Sequence, residues 1–401
     1  MIAWLNDLGI VSALGNDKHQ HLQALSRSHN DTLTQHSGLD YTGDDPYVGM
    51  VKSISLDVTQ RNNRIIDLAL AQITNTLTKA FEKFDATRIA VVIGTSTADI
   101  YDGERARIHR AHIANGREDE ALNWPPGYHY EQQALDAPAQ YIRKTLGLRG
   151  LAYGISTACS SSAKALSSAQ GILHAGLADV VICGGADSLC QLTVNGFKAL
   201  ASTSEGLCRP FCEDRDGINI GEGAALFVMS LDPSLGQSNC ALLGCGASSD
   251  AYHMSAPEPS GNGAKQAMIN ALEAANLAPE DIDYVNAHGT ATPKNDDMEA
   301  TAIFNVLGSQ VPVSSTKHWT GHTLGAAGAI EAGLCWLLIE QQRLGAQPIS
   351  LPQQGTYPLD SELATINLVQ QPIEKKPKTC MSNSFAFGGN NACIIVGEVD
   401  A

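Results

Sequence analysis

Several features that would classify a sequence quickly are missing from this one. No Cys-x-x-Cys pair occurs among its 10 cysteines, and the nearest neighbours, Cys208/Cys212 and Cys240/Cys245, lack the spacing of a zinc site. Reduced, mostly buried thiols and no metal are therefore expected. No apolar run approaches the roughly 20 residues of a membrane-spanning helix. The opening MIAWLNDLGIVSALG has neither a basic leader nor a cleavage pattern and reads as a first strand, so a cytoplasmic location is expected. Positive charge is scarce: 26 Lys and Arg face 42 Asp and Glu, a net charge of −16. That argues against generic binding to nucleic acid or anionic membranes and leaves an acidic partner only a local basic patch. The glycine-rich stretch around Gly217, Gly221 and Gly223 lacks the lysine and spacing of a phosphate loop.

A chain of 401 residues has room for about two domain-sized units. Its most organised stretch covers residues 153–185, YGISTACSSSAKALSSAQGILHAGLADVVICGG. A short strand stops at small residues, Cys159 follows, and a Ser/Ala run forms a tightly packed helix ending near Gly176. A second strand then stops at Gly184-Gly185. This unit places one thiol at a helix N-terminus, where the dipole and free N–H groups favour the thiolate.

Two closing strands resemble each other, GAALFVMS from Gly223 and NACIIVGE from Asn391. Cys159 and His322 also stand at matching places, each at the start of a small-residue helix. Two halves of one architecture, residues 1–232 and 233–401, account for both correspondences. His288 follows a strand-like run over 284–287, and Lys317 follows another over 313–316. The region 61–84 reads as one amphipathic helix with Arg61 and Arg64 one turn apart on its exposed side. Residues 99–135 are irregular in pattern and read as a cap or subunit contact.

One cysteine and two histidines, each in a small-residue turn after a strand, form a constellation suited to nucleophilic chemistry. The stretches STACSSSAKAL, GGADSL, EDRDGINIGEGAA, NAHGTATPKNDDMEA, SSTKHWTGHTLGAAGAIEA and SNSFAFGGNN run in order from about residue 150 to the end. On these motifs the chain resembles a β-ketoacyl-acyl-carrier-protein synthase, the elongating condensing enzyme of dissociated fatty-acid and polyketide synthesis. Residues 16–140 match less well.

The resemblance implies an α/β thiolase-like fold, two similar halves layered α-β-α-β-α, working as a dimer. It implies a decarboxylative Claisen condensation. The Cys159 thiolate takes an acyl group from acyl carrier protein, and a malonyl unit then loses carbon dioxide and attacks it. His288 and His322 would stabilise the enolate, and the backbone N–H groups of Cys159 and Phe387 would form the oxyanion hole. Lys317 would orient the histidines with support from Glu331. Phe387 would gate access to the nucleophile, with Gly388 and Gly389 permitting loop movement. Thr290 and Thr292 would contact the pantetheine arm, and Phe385 packs beside them. No cofactor is required, because the phosphopantetheine belongs to the carrier. Arg61 and Arg64 are the expected carrier-docking residues, with Arg143 and Lys144 as weaker candidates.

Asn390 stands where the family usually has Thr. Fatty-acid elongation is the first expectation. A specialised polyene or polyketide pathway of the aryl-polyene type, with a chain-length-factor partner in a heterodimer, is its rival. A non-catalytic partner subunit would lack Cys159, and a thiolase would need a second catalytic cysteine that Cys393 does not match. An initiating condensing enzyme carries Asn in place of the second histidine. A cysteine hydrolase would leave Lys317 and that histidine unexplained.

Overall fold

The computed structural model describes residues 1–27, 31–114, 124–125, 127–346, 349–355 and 357–399. Eleven strands build the main sheet: β1 (Ala3–Val11), β2 (Ile89–Gly94), β3 (Ala152–Ile155), β4 (Val180–Asp187), β5 (Gly223–Ser230), β6 (Cys240–Ser249), β7 (Tyr284–Asn286), β8 (Pro312–Ser314), β9 (Asn367–Leu368), β10 (Thr379–Ala386) and β11 (Asn390–Glu398). Their order is β9-β8-β7-β10-β11-β6-β1-β5-β4-β2-β3. The first five strands lie in the order β3-β2-β4-β5-β1. The next set repeats this as β8-β7-β10-β11-β6, with the two-residue β9 added at its edge. In each set the middle strands run parallel and the last two turn antiparallel. The sets join where Ala3 and Trp4 of β1 pair with Leu242 and Ala241 of β6.

Period-two alternation along the strands sets the layers. In β2, Val91 and Ile93 face outward to Ile65, Ile66 and Ala69 of helix α1 (Arg61–Gln72). Ala90 and Val92 face the centre instead. There the strands of both sets meet two helices, here α2 (Ser161–His174) and α3 (Ala327–Glu340), through Leu166 and Ala169, and Leu334 and Leu338. Every residue of α3 is buried, as its near-continuous apolar sequence requires. On the far side, Val285 and Ile395 pack on Met268 and Met298, from the helices Asn262–Ala275 and Pro293–Leu307. The result is helix, sheet, helix pair, sheet, helix, the layered thiolase-like α/β fold.

Small residues let α2 and α3 approach closely. Ala329 N–H donates to Ser162 Oγ at 2.8 Å. A Cβ on Gly328 would sit 2.9 Å from that of Ala163, and one on Gly185 would sit 2.5 Å from that of Ser162.

Two local expectations are corrected. Residues 61–84 form two helices, Arg61–Gln72 and Thr74–Lys83, broken at Ile73. Thr74 Oγ1 donates back to the carbonyls of Leu70 and Ala71, at 3.3 and 3.1 Å, which offers the backbone an alternative to a continuous helix. The region 99–135 is not irregular throughout: Ile100–Ala114 is a helix. Its charges are spread around the cylinder, so no apolar stripe announced it. Residues 115–123 and 126 lie outside the described residues.

Candidate active site

Cys159 sits in a turn between β3 and α2 and is 6% exposed. Ala158 before it holds φ +53°, a left-handed conformation that costs a non-glycine residue about 1–2 kcal/mol. Ser161 Oγ steadies the turn, accepting from Thr157 N–H at 2.9 Å and donating to Ala158 O at 2.5 Å. The backbone N–H groups of Phe387 and of Cys159 itself lie close enough to the sulfur to favour its anion. The expected lowering of the thiol pKa is not what the structure gives. Burial dominates and pushes the thiol up to about 12, against the opposing influence of Lys317 and the two N–H groups. The resting group is a protonated thiol.

His288 ends β7 in a turn held by a carboxylate. Glu299 Oε1 accepts from His288 N–H and Oε2 from Gly289 N–H, both at 2.7 Å, and Asn383 Nδ2 also donates to Oε1. Asp296 similarly accepts from Thr290 N–H at 3.1 Å and Phe211 N–H at 2.7 Å. His322 is held by a different device. Its N–H donates to Asn219 O at 2.7 Å and its carbonyl accepts from Gly221 N–H at 2.9 Å. Gly221 is obligatory there, because a Cβ would lie 2.4 Å from Thr320 O.

These turns bring the three groups together. His322 Nε2 lies 3.0 Å from Cys159 Sγ, and the two imidazole rings meet edge to face with centroids 5.3 Å apart. Both rings are buried, and burial first, then the Lys317 charge, holds their pKa values well below the ordinary 6.5. They are neutral at physiological pH. Among the described residues neither Nδ1 has a hydrogen-bond partner, so a proton placed there would be a buried orphan donor. The Nε2–H tautomer, donating toward the sulfur and the cavity, is favoured.

Lys317 and Glu331, both buried, form an ion pair beside the triad. Glu331 Oε2 has no further partner among the described residues. A cavity of about 310 Å³ opens from Cys159 and both histidines past Thr290, Thr292 and Phe385. The Thr290 and Thr292 hydroxyls are 2.9 Å apart, and Phe385 meets His288 edge on at 6.3 Å. Phe387 stands at the cavity wall with its ring 5.5 Å from that of Phe197. Gly388 and Gly389 follow at φ +80° and +72°, conformations that favour glycine. Asn390 Oδ1 accepts from Lys164 Nζ of α2 at 2.8 Å, so the residue that departs from the family pattern is tied to the helix that follows Cys159.

The docking expectation is corrected. Arg61 is fully buried rather than part of an exposed patch. Its guanidinium pairs with buried Glu222 and also donates to the carbonyls of Ile54, Ser55 and Val51. Glu222 further accepts from Val51 N–H and Leu189 N–H, so the pair ties three segments together. Helical spacing put Arg61 one turn from Arg64, but the carboxylate that claims it lies 161 residues away in sequence. Arg64 is exposed beside Asp67, and Arg143 and Lys144 are exposed. Sequence reasoning also missed Glu299, Asp296 and Asn219 as anchors of the histidine turns. The acidic spacing in NDDMEA, one helical turn from Asp296 to Glu299, is the signal that could have found two of them.

Comparison with known proteins fits this geometry. The model described as beta-ketoacyl synthase, N-terminal domain, matches residues 16–233, and the corresponding C-terminal domain model matches residues 239–348. Nodulation protein E of Rhizobium meliloti is 36% identical over 271 residues, 66% of each sequence. A 3-oxoacyl-[acyl-carrier-protein] synthase 2 of Staphylococcus aureus (strain COL) is 36% identical over 270 residues, 64% of each. The chain thus spans just under two thirds of the length of these curated relatives. Among solved structures, the ketosynthase ApeO in complex with its chain length factor ApeC from Xenorhabdus doucetiae is 39% identical, with a TM-score of 0.90 over 99% of this chain and 98% of that one. A beta-ketoacyl synthase from Burkholderia phymatum STM815 is 26% identical with a TM-score of 0.81 over all of both chains. With its two domain models in order and its cysteine and two histidines in one cavity, this chain belongs to the β-ketoacyl synthase family.

Proposed function

We propose that the protein is a ketosynthase catalysing decarboxylative condensation of a malonyl unit with an acyl chain held on Cys159. The observation that carries this reading is the 3.0 Å approach of His322 Nε2 to Cys159 Sγ, with neutral His288 beside it. In the first stage Sγ attacks the acyl thioester of a carrier-borne substrate. The carbon–sulfur bond to pantetheine breaks and the thiol proton passes to the departing pantetheine sulfur. The N–H groups of Cys159 and Phe387, both beside the sulfur, receive the developing oxyanion. In the second stage the malonyl carbon–carboxylate bond breaks and carbon dioxide leaves. His288 and His322 donate to the enolate oxygen, and the enolate carbon attacks the acyl thioester, releasing the Cys159 thiolate, which takes a proton from water to restore the thiol. Neutral donors suit this role, since an imidazolium would quench the carbanion by protonation.

Burial, reinforced by the charge of Lys317, keeps both rings unprotonated, and the ion pair with Glu331 holds Lys317 in place. Phe387 gates the cavity on its glycine hinge, while Thr290 and Thr292 take the pantetheine arm. Residues 1–232 supply the nucleophile and 233–401 the histidines and lysine. The acyl carrier protein brings the phosphopantetheine, and the residues need no bound cofactor for these steps. Among the described residues no helix is long and apolar enough to cross a membrane.

The 39% identity and near-complete overlap with a ketosynthase solved beside its chain length factor favour a specialised polyene or polyketide pathway, and a ketosynthase-fold partner, over fatty-acid elongation. A panel of acyl-carrier substrates read by product mass, with and without a candidate partner subunit, tests this. Turnover of unsaturated acyl chains only with the partner supports it. Equal turnover of saturated chains by the chain alone restores the fatty-acid reading.

A further inference from the structure

The arrangement that makes a condensing site also makes a cation trap. Cys159, His288 and His322 each offer a ligand atom, and these three atoms lie within 4.8 Å of one another. All three residues are buried, at 6%, 2% and 2% exposure. A zinc ion takes thiolate sulfur at about 2.3 Å and imidazole nitrogen at about 2.0–2.1 Å, which sets donors about 3.4–3.6 Å apart in a tetrahedron. The observed Sγ to Nε2 distance of 3.0 Å is already close to this. Zinc geometry requires the widest separation, at most 4.8 Å, to close to about 3.4–3.6 Å. The fourth position opens into the cavity, where a water fits. Thiolate and imidazole select soft and borderline ions, and no carboxylate or carbonyl is in the set to favour magnesium or calcium.

We propose that the free enzyme reversibly binds one soft divalent cation, zinc or cadmium, at Cys159, His288 and His322, and that the bound cation shields the Cys159 sulfur from electrophiles. The step is ligand exchange: bound waters leave the ion, the thiol proton goes to solvent, and no oxidation state changes. The imidazoles are neutral and need lose no proton; each moves its ring proton from Nε2 to Nδ1. Two features oppose binding and keep it reversible. Nδ1 then carries a buried proton without a partner, and the Lys317 ammonium lies close by, offset by Glu331. The inference rests on the triad's geometry and not on the condensing reaction, so its test uses no acyl substrate.

The experiment titrates metal-free, full-length protein with cadmium and follows the ultraviolet thiolate-to-cadmium band. Calorimetry with zinc in two buffers of different ionisation enthalpy accompanies it. One ion per chain and about one proton released per ion are expected. Cys159→Ala and His288→Ala should each weaken binding at least about tenfold, with folding checked by circular dichroism. A measurement on the unaltered chain removes dependence on variants: bound zinc should protect the Cys159 peptide from iodoacetamide, as read by mass spectrometry. Protein first capped at Cys159 should lose the band. Undiminished binding by capped protein, alkylation of Cys159 at its full rate with zinc bound, or no binding at millimolar cation would each overturn the proposal.

Discussion

The turn carrying Cys159 and the turn carrying His322 occupy the same place in the two repeated strand orders, yet they are built differently. Each leaves the outer parallel strand of its set, β3 or β8, and enters a central helix, α2 or α3. In the first, five residues separate strand from helix. In the second, the connection also holds the short helix Lys317–Thr320 and a further turn, Leu324–Ala326. Both contain a strained alanine or leucine, Ala158 at φ +53° and Leu324 at +52°. The short turn suffices to aim one sulfur at a helix start. The long one carries a cation and an imidazole into the same buried space, and needs Asn219 and Gly221 from the other half to hold it. One frame thus supplies a buried thiol from one half and a cation with imidazoles from the other.

Cys159→Ala produces the largest expected effect. Carrier-dependent acylation of the protein should fall to background, as read by intact mass in the absence of malonyl substrate. Persistent acylation would mean the short turn is not where the covalent step happens. His288→Ala and His322→Ala should slow condensation by about 10²–10³-fold and acylation far less, measured in separate single-turnover assays. Equal losses in both stages would erase the division of labour between the turns.

A third test concerns the basic residue that the fold diverts from the surface. Arg61→Ala leaves Glu222 buried and unpaired and should cost about 3–5 kcal/mol in denaturant unfolding. Arg64→Glu should leave stability nearly unchanged and weaken carrier binding modestly. A reversal of these outcomes would put Arg61 at a docking surface after all.

The smallest expected effect is on pH. Both histidines titrate well below 6.5, so condensation by preformed acyl-enzyme should hold level as pH falls from 8 past 6.5. Stability behaves differently. The unfolded chain takes up protons on these rings as pH drops through 6.5 and the folded chain does not, so their contribution is complete above 6.5 and declines below it. His21, held at about 4 by burial, adds to the same trend. Imidazole resonances of His288 and His322 that titrate between pH 7 and 5 in the folded chain would contradict the neutral assignment.

Much of this site was legible in the sequence because its parts are local. A strand, a small-residue turn and a helix lie within about 20 residues at Cys159, and motif order carried the histidines and Lys317. The two-half repeat was legible from the closing strands 223–230 and 390–398, because each is buried on both faces and reads as a continuous apolar run. What was not legible depends on long-range placement. Arg61 reads as exposed by helical spacing, and only the fold brings Glu222 to it. The helix Ile100–Ala114 has no apolar stripe to read. Desolvation of Cys159, which outweighs its helix-start position, comes from the surrounding layers and from no neighbour in sequence.

The seam between α2 and α3 has a practical consequence. A methyl group on Gly328 would meet Ala163, one on Gly185 would meet Ser162, and Ala329 N–H is bonded to Ser162 Oγ, so these five residues interlock. Chimeras that graft one half onto a relative's other half should therefore keep these five positions as a set. A mismatch there would shift sulfur against imidazole by tenths of an ångström, and a folded hybrid could lose turnover with every reactive side chain still in place.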